Sequence, residues 1–537
     1  MIESALRERM PGRAAGHAHG ADDAAAPSDQ AAPAPISPRV PFAPPKRPAA
    51  AAPAAAAAAP AAPAEPTAPA EPAARLLAPA TAQQGAARRQ DLAPAGDEEA
   101  AGEEEEAARP ARYRALAPDM INPNILKTQV VGNPHALGAR PKTFTREVLA
   151  LCAAPWLIDD DPSAHFAPDA RARAARLLGS FPGGVGAYSD SRGSAVVRGE
   201  VAGFVGARDG HAADPEAVFL TDGASPGVRM LLSALIRSPS DAILVPVPQY
   251  PLYSAAIQLL DGAMVPYPLD ESHDWGLSTA ALEGAVKAAR GAGLTPRGLV
   301  IINPDEGLVL LADEVYQELA YRGDRPFLAA RKVVLDAGPP LSTGLEVVSF
   351  HTASKGTSGE CGLRGGYFEL LNFHPATVDQ LYKLASINLC PNSAGQIAVS
   401  CMVNPPAPGD PSFPKWDAER RDEFESLVRR AAMVAEGFGH LPGVRCNKTE
   451  GAMYCFPRLS LPRKAVAAAR AAGRAPDAFY CLRLLEASGI VTVPGCGFGQ
   501  EEGTFHLRTT ILPREADMAA FVAKFEAFHT AFMEEFA

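Results

Sequence analysis

Beyond about residue 164, short unbroken apolar runs alternate with stretches of helical period. The runs 217–221, A-I-L-V-P-V-P, A-M-V-P-Y, G-L-V-I-I-N-P, G-L-V-L-L-A-D and L-E-V-V-S-F are apolar on both faces. That pattern belongs to parallel strands covered by helices on both sides. Helices are predicted over 164–178, 198–206 and 254–260, and through Leu235 after the loop Asp222-Gly223-Ala224-Ser225. F-P-G-G-V-G-A-Y reads as a glycine-rich loop. The alternation predicts an α/β fold, a mainly parallel central sheet between helices. From about Asp417 onward, long helices and strands near G-A-M-Y-C-F-P and G-T-F-H-L-R-T-T predict a smaller α+β domain. No internal repeat is found.

One junction is hard to reconcile with this pattern. G-L-V-I-I-N-P ends at Pro304 and the next run begins at Gly307, leaving only Asp305 and Glu306 between them. Parallel neighbours need a crossover of roughly a dozen residues or more. A tight antiparallel hairpin is the alternative, and N-P-D-E-G suits a turn. Burial of both runs on two faces nevertheless favours parallel pairing, and hence a missing crossover.

Composition sets the first segment apart. From about Ala24 to Ala108 the chain is mostly Ala and Pro and ends in acidic runs at Asp97 to Glu99 and Glu103 to Glu106. Such a stretch buries too little apolar surface to offset its ordering entropy, so residues 1–110 are expected to be disordered, with the acidic runs a solvated spacer. A net charge of −11 argues against a nucleic-acid partner. The eight cysteines form no C-x-x-C pair and no zinc-type spacing, so reduced thiols and no metal are expected. No run has the length and apolarity of a membrane span. Arg7, Arg9 and Arg13 fit an organelle-targeting peptide, whereas Glu3, Glu8, Asp22 and Asp23 oppose one. An intracellular protein is expected, in the cytoplasm ahead of the mitochondrion.

The candidate chemistry centres on S-F-H-T-A-S-K-G-T-S-G-E-C-G-L-R-G-G. A lysine among small residues, Lys355, can form a Schiff base with an aldehyde, while Arg364 and the hydroxyls of Thr352 and Ser354 grip a phosphate. Upstream, a buried-type strand ends in Asp313, with Tyr316 three residues later. A carboxylate for a pyridinium nitrogen, a phenol for the ring oxygen and a lysine for the aldehyde are what pyridoxal phosphate requires. Each residue has an ordinary alternative: a surface lysine for Lys355, a helix N-cap for Asp313. Gly223-Ala224-Ser225 opens a helix after a strand, where backbone N–H groups favour an anion or simply a cap.

The ordered motifs P-V-P-Q-Y-P-L-Y-S, L-L-A-D-E-V-Y-Q, F-H-T-A-S-K-G-T-S-G-E-C-G-L-R-G-G-Y, L-C-P-N-S-A-G-Q, G-A-M-Y-C-F-P-R and V-P-G-C-G-F-G-Q-E-E-G-T-F-H-L-R-T-T-I-L-P resemble the alanine aminotransferases, within the pyridoxal-phosphate enzymes of fold type I. The resemblance runs from about Ile121 to the C-terminus. It implies that Lys355 holds the cofactor as an internal aldimine and shuttles the substrate proton. Asp313 then pairs with the ring nitrogen, and Tyr316 reaches the ring oxygen. Ala224, Ser225, Thr352, Ser354 and Arg364 are implied to bind the phosphate. Tyr250 stacks on the ring, with Tyr253 as its neighbour, and Tyr188 reaches the phosphate of a partner subunit in a homodimer. Arg508 clamps the substrate carboxylate, and Gly132 approaches it through its backbone. The implied reaction is ping-pong transfer between L-alanine and 2-oxoglutarate, giving pyruvate and L-glutamate. Glutamate–glyoxylate aminotransfer is the alternative within the class.

The resemblance also divides the chain into an N-terminal arm with part of the small domain (111–163), a large cofactor domain (164–400) and a C-terminal small domain (401–537). Two blocks of the family pattern are missing. After Asn303-Pro304 the G-N-P-T-G stretch and its helix are absent. After I-N-P-N-I-L-K-T-Q, ending at Gln129, the chain passes directly to Val130. A catalytically impaired isoform or a mis-assembled gene product is therefore the rival expectation.

Overall fold

The computed structural model describes residues 134–161, 165–300 and 308–537. The 1–110 segment, Gly132, Asn303 and the junctions at Gln129/Val130 and Pro304/Asp305 lie outside the described residues. The main sheet contains β1 (Val218–Thr221), β2 (Asp241–Val247), β3 (Ala263–Asp270), β4 (Gly276–Leu277), β5 (Thr295–Val300), β6 (Val309–Asp313), β7 (Val347–Thr352) and β8 (Gly366–Leu371), in the order β1-β8-β7-β6-β5-β2-β3-β4. β3, β2, β5, β6 and β7 pair in parallel, as expected for two-faced apolar strands, although β3 is buried on one face only, with Val265 and Tyr267 buried and Met264, Pro266 and Pro268 exposed. β8, a strand outside the predicted runs, is antiparallel to both β1 and β7, and β4 folds back on β3.

β5 and β6 decide the question raised by the sequence. Gly298 lies opposite Val309 and Val300 opposite Leu311, in parallel register, so the antiparallel hairpin is excluded. Only residues 301–308 join the two strands. That link is shorter than a parallel crossover normally needs.

Helices cover both faces. On one, Val228, Leu231 and Leu232 of the helix Ala224–Leu235 and Tyr253 and Ile257 of Pro251–Leu259 pack on Phe219, Leu311, Phe350 and Phe368. Gly227 lets the first helix sit close, since a Cβ there would stand 3.0 Å from Phe368 Cδ1. On the other face, Leu282 and Ala289 of Thr279–Gly291 and Val334 of Ala330–Asp336 meet Leu244, Leu299, Leu310 and Val347. A third cluster joins the helices Thr143–Ala153, Pro168–Leu178, Ala195–Asp209 and Ser393–Val403. The predicted helix at 254–260 begins earlier, at Pro251, because proline suits a first helical turn.

The C-terminal part has its own core. Val434, Phe438, Tyr480, Leu484, Phe525 and Phe532 pack together from the helices Phe413–Gly439, Pro476–Ser488 and Glu515–Glu535. They lie with β9 (Val444–Arg445), β10 (Tyr454–Cys455), β11 (Arg458–Leu459), β12 (Val493–Pro494) and β13 (Leu507–Thr510), which pair as β10-β13-β12 and β11-β9. Among the described residues no helix is long and apolar enough to cross a membrane.

A buried polar cluster lies along β7 and β8. Register sets Ser349 opposite Glu369 and His351 opposite Tyr367. Arg331 Nε stands 2.9 Å from Glu369 Oε1, and its Nη1 lies 3.1 Å from Asp209 Oδ2. Arg208 bonds Asp209 at 2.7 Å and approaches Glu314 at 3.6 Å. Two guanidinium groups thus face three carboxyls. Burial pushes Glu314 and Glu369 up to about 7 and His351 down to about 3.

Candidate active site

Four strands deliver side chains to one edge of the sheet. Beyond β1 come Ala224 and Ser225; beyond β2, Tyr250 and Tyr253; β6 ends in Asp313, with Tyr316 close behind; β7 ends in Thr352, followed by Ser354 and Lys355. The carboxyl ends of parallel strands are where α/β sheets bind ligands. All nine residues line one cavity of about 600 Å³, and Arg364 and Arg508 complete it. Lys355 Nζ lies 5.9 Å from the centre of the Tyr316 ring.

The two oxygens of Asp313 are held unequally. Tyr253 donates its phenol to Oδ2 at 3.0 Å, whereas the buried Oδ1 has no partner. Burial pushes the carboxyl up, against the pull of the Tyr253 hydrogen bond, the Val315 N–H and the Lys355 charge. An unpartnered buried acceptor costs about 1–3 kcal/mol, and a protonated ring nitrogen at Oδ1 would satisfy it. The residues present therefore fit pyridoxal phosphate. Burial and the adjoining Tyr454 phenol push the Tyr316 hydroxyl well above its usual range, keeping it a proton donor. Burial raises Tyr250 as well, although this ring is 45% exposed.

Around Ala224, Ser225 and Arg364 the cavity wall is built largely from backbone. The helix Ala224–Leu235 begins after Gly223, which has φ +90° and no side chain to cap the first turn. A Cβ on Gly223 would stand 2.5 Å from Arg364 Nη2, so glycine admits the guanidinium there. Arg364 itself has φ +54°, an uncommon conformation for a residue with a Cβ. Its carbonyl accepts from Asn392 Nδ2 at 2.9 Å, and its Nη2 donates to the Asp222 carbonyl at 2.7 Å. The Asp222 carboxylate accepts in turn from Asn392 Nδ2 at 2.7 Å. Thr352 lines the cavity, but its hydroxyl bonds the Gly365 carbonyl at 2.7 Å and accepts from the Ser354 N–H at 3.2 Å. Thr352 therefore braces the turn that carries Ser354 and Lys355.

Elsewhere on the cavity wall, Arg508 of β13 has Cζ 4.4 Å from the Tyr454 ring centre and 5.0 Å from that of Phe498. The two aromatic faces orient the guanidinium. Tyr188 is 75% exposed and does not line this cavity of its own chain. Gly132 lies outside the described residues. The sequence reading missed Asp222 and Asn392 as braces, the Tyr253 bond to Asp313, and Tyr454 and Phe498 beside Arg508. Asn392 and Tyr454 lie inside motifs already singled out, but only tertiary contact reveals what they hold.

The profile of the family described as Aminotransferase class I and II matches residues 160–525. Glutamate–glyoxylate aminotransferase 2 of Arabidopsis thaliana is 53% identical over 429 residues, covering 76% of this chain and 89% of that protein. Alanine aminotransferase 2 of Panicum miliaceum is 48% identical over 429 residues, with the same shares covered. In both cases 76% of 537 residues is about 408, so about 20 aligned positions have no residue in this chain. Among solved structures, an alanine aminotransferase from Pyrococcus furiosus superposes with TM-score 0.58 at 20% identity, covering 75% of this chain and 91% of that one.

Proposed function

The chain belongs to the class I and II aminotransferases, pyridoxal-phosphate enzymes of fold type I, and on that premise we propose that it moves the amino group between L-alanine and 2-oxoglutarate. The observation carrying this reading is one cavity lined by Lys355, Asp313 with an open carboxylate oxygen, and Arg508. When bound, the cofactor supplies an aldehyde and an electron-accepting ring.

Each residue then has a defined task. Lys355 Nζ would be the amine that holds the cofactor's aldehyde and, once a substrate amine has displaced it, the free base positioned for the proton on the substrate Cα. Asp313 Oδ1 would hold a proton on the cofactor's ring nitrogen, with Tyr253 keeping that carboxylate in place. Tyr316 would donate its phenol to the cofactor, and Tyr250 would shield it from water. Arg364, Ser354 and the N–H groups of Ala224 and Ser225 hold the phosphate, with Thr352 bracing their turn. Arg508 binds the α-carboxylate shared by amino and 2-oxo acids, so one arginine serves both half-reactions. Gly132 is proposed to approach that carboxylate.

A second reading, glutamate–glyoxylate aminotransfer, has the higher identity of 53% against 48% in its favour. Purified enzyme assayed with alanine as donor, and with 2-oxoglutarate and glyoxylate as competing acceptors, separates the two. A glyoxylate preference overturns the first. We further propose that the chain as written turns over slowly, because eight residues replace the crossover between β5 and β6.

The assembly proposed is a homodimer in which Tyr188 reaches the partner's phosphate site. Its segment is tied to the one behind Arg364: Gln396 Nε2 donates to Ser189 Oγ at 3.0 Å, and Ser191 Oγ to the Leu389 carbonyl at 2.7 Å. The cytoplasm is the expected compartment, with the mitochondrion the alternative that a fluorescent fusion of the whole chain would detect.

A further inference from the structure

Both readings of the reaction share one substrate pair, L-glutamate and 2-oxoglutarate, which carry a second carboxylate that alanine, pyruvate and glyoxylate lack. Four cationic side chains line the cavity among the described residues: Lys355, Arg364, Lys448 and Arg508. The tasks proposed above, at the aldehyde, the phosphate and the α-carboxylate, occupy three of them. Lys448 has no task there. It is exposed, and among the described residues it forms no ion pair. The next residue, Thr449, also lines the cavity, and its buried Oγ1 has no hydrogen-bond partner. Buried hydroxyls are normally satisfied, so an unspent ammonium beside an unspent hydroxyl marks a place for an anion.

The segment carrying these two groups is fixed at both ends. Asn447 Nδ2 donates to the Glu271 carbonyl at 2.9 Å. On the other side Gly451 forms an antiparallel bridge with Ala320. There the Tyr321 N–H donates to the Glu450 carbonyl at 2.8 Å, and the Ala452 N–H to the Leu319 carbonyl at 3.0 Å. A Cβ on Gly451 would stand 2.5 Å from the Leu319 carbonyl oxygen, so glycine permits this pairing. The neighbouring carboxylates are already matched. Glu450 meets Arg322 at 2.5 Å and Arg325 at 3.1 Å, and Asp274 lies 3.8 Å from the same Arg325. The Lys448 charge therefore stays available to a ligand, on a wall that is already ordered.

We propose that Lys448, with the Thr449 hydroxyl, binds the side-chain carboxylate of L-glutamate and 2-oxoglutarate and so sets the preference for this five-carbon pair. Lys448 takes that part only if Arg508 holds the α-carboxylate as proposed, because a dicarboxylate needs a donor group at each end. The ammonium and the hydroxyl then make charge-assisted hydrogen bonds that a monocarboxylate does not form. Alanine, pyruvate and glyoxylate leave both groups as they stand in the free protein, so these substrates gain nothing from this end of the cavity.

Calorimetric titration of the cofactor-loaded full chain compares glutarate, a dicarboxylate with no amino or oxo group, with the monocarboxylate butyrate. Glutarate should bind about tenfold to a hundredfold more tightly to the parent, the worth of a charge-assisted bond. Lys448→Met should remove most of that advantage, Lys448→Arg should keep it, and Thr449→Val should reduce it in part. In turnover, Lys448→Met should lower the ratio of kcat/KM for glutamate to that for alanine by the same factor. A parent that binds both acids alike, a glutarate advantage that survives Lys448→Met, or equal weakening of both acids by that variant would each overturn the assignment. Failure of the Arg508 reading looks different, because Arg508→Lys would then leave butyrate binding unchanged.

Discussion

The roles proposed for Lys355, Asp313 and Arg508, in proton transfer, electron withdrawal and carboxylate binding, each have their own signature. Lys355→Ala should lower amino transfer by at least about 10³-fold relative to the unmodified chain, since it removes both attachment point and base. Activity within tenfold of the parent would refute that role. Arg508→Lys keeps the charge but loses the planar fork lying against Tyr454 and Phe498. KM for both amino and 2-oxo acids should rise about tenfold to a hundredfold, the loss of a charge-assisted bond, with a smaller change in kcat. Steady-state kinetics with both substrates checks this. A fall in kcat alone would move Arg508 out of carboxylate binding.

At the scale of elements, the β5–β6 link and the polar cluster on β7 and β8 are the weak points. Inserting a helical crossover of roughly twenty residues between Pro304 and Asp305 should raise both melting temperature and turnover, because parallel neighbours normally take such a connection. Unchanged values would mean that the short link is tolerated. In the polar cluster, Glu314 and Glu369 are pushed up to about 7. Their folded pKa lies above the unfolded value of about 4.5, so between these limits the native state binds more protons than the unfolded chain. Their contribution is therefore fully present below about pH 4.5 and is lost as pH rises through about 7. Glu369→Gln should flatten that slope and gain on the order of 1–3 kcal/mol relative to the parent at pH 8. Urea unfolding of both proteins at pH 5 and pH 8 measures it; parallel slopes would rule out Glu369 as the titrating group.

For the molecule as a whole, the proposed dimer has a surface to use. Tyr188 and Ile387 are each 75% exposed and Leu389 is 53% exposed, on segments joined by the Ser191–Leu389 bond, with Arg192 over Tyr382 at 5.2 Å. Exposed apolar groups gathered in this way mark an interaction surface. Sedimentation of the full chain should give a dimer, and Leu389→Asp should shift it toward monomer. A parent chain that sediments as a monomer at micromolar concentration would contradict the assembly and the role of Tyr188 with it.

Much of this was legible one residue at a time. Two-faced apolar runs announced β2, β5, β6 and β7 as parallel interior strands, because burial on both faces leaves no place for polar side chains. Lys355, Asp313, Tyr316 and Arg364 stood at strand ends in motifs whose chemistry is local. β8 was not singled out, and its antiparallel direction depends on which neighbours it meets. The bond from Tyr253 to Asp313 spans sixty residues, and the brace from Asn392 to Asp222 spans 170. No periodicity encodes such pairs, because they exist only once the sheet brings its strand ends to one edge.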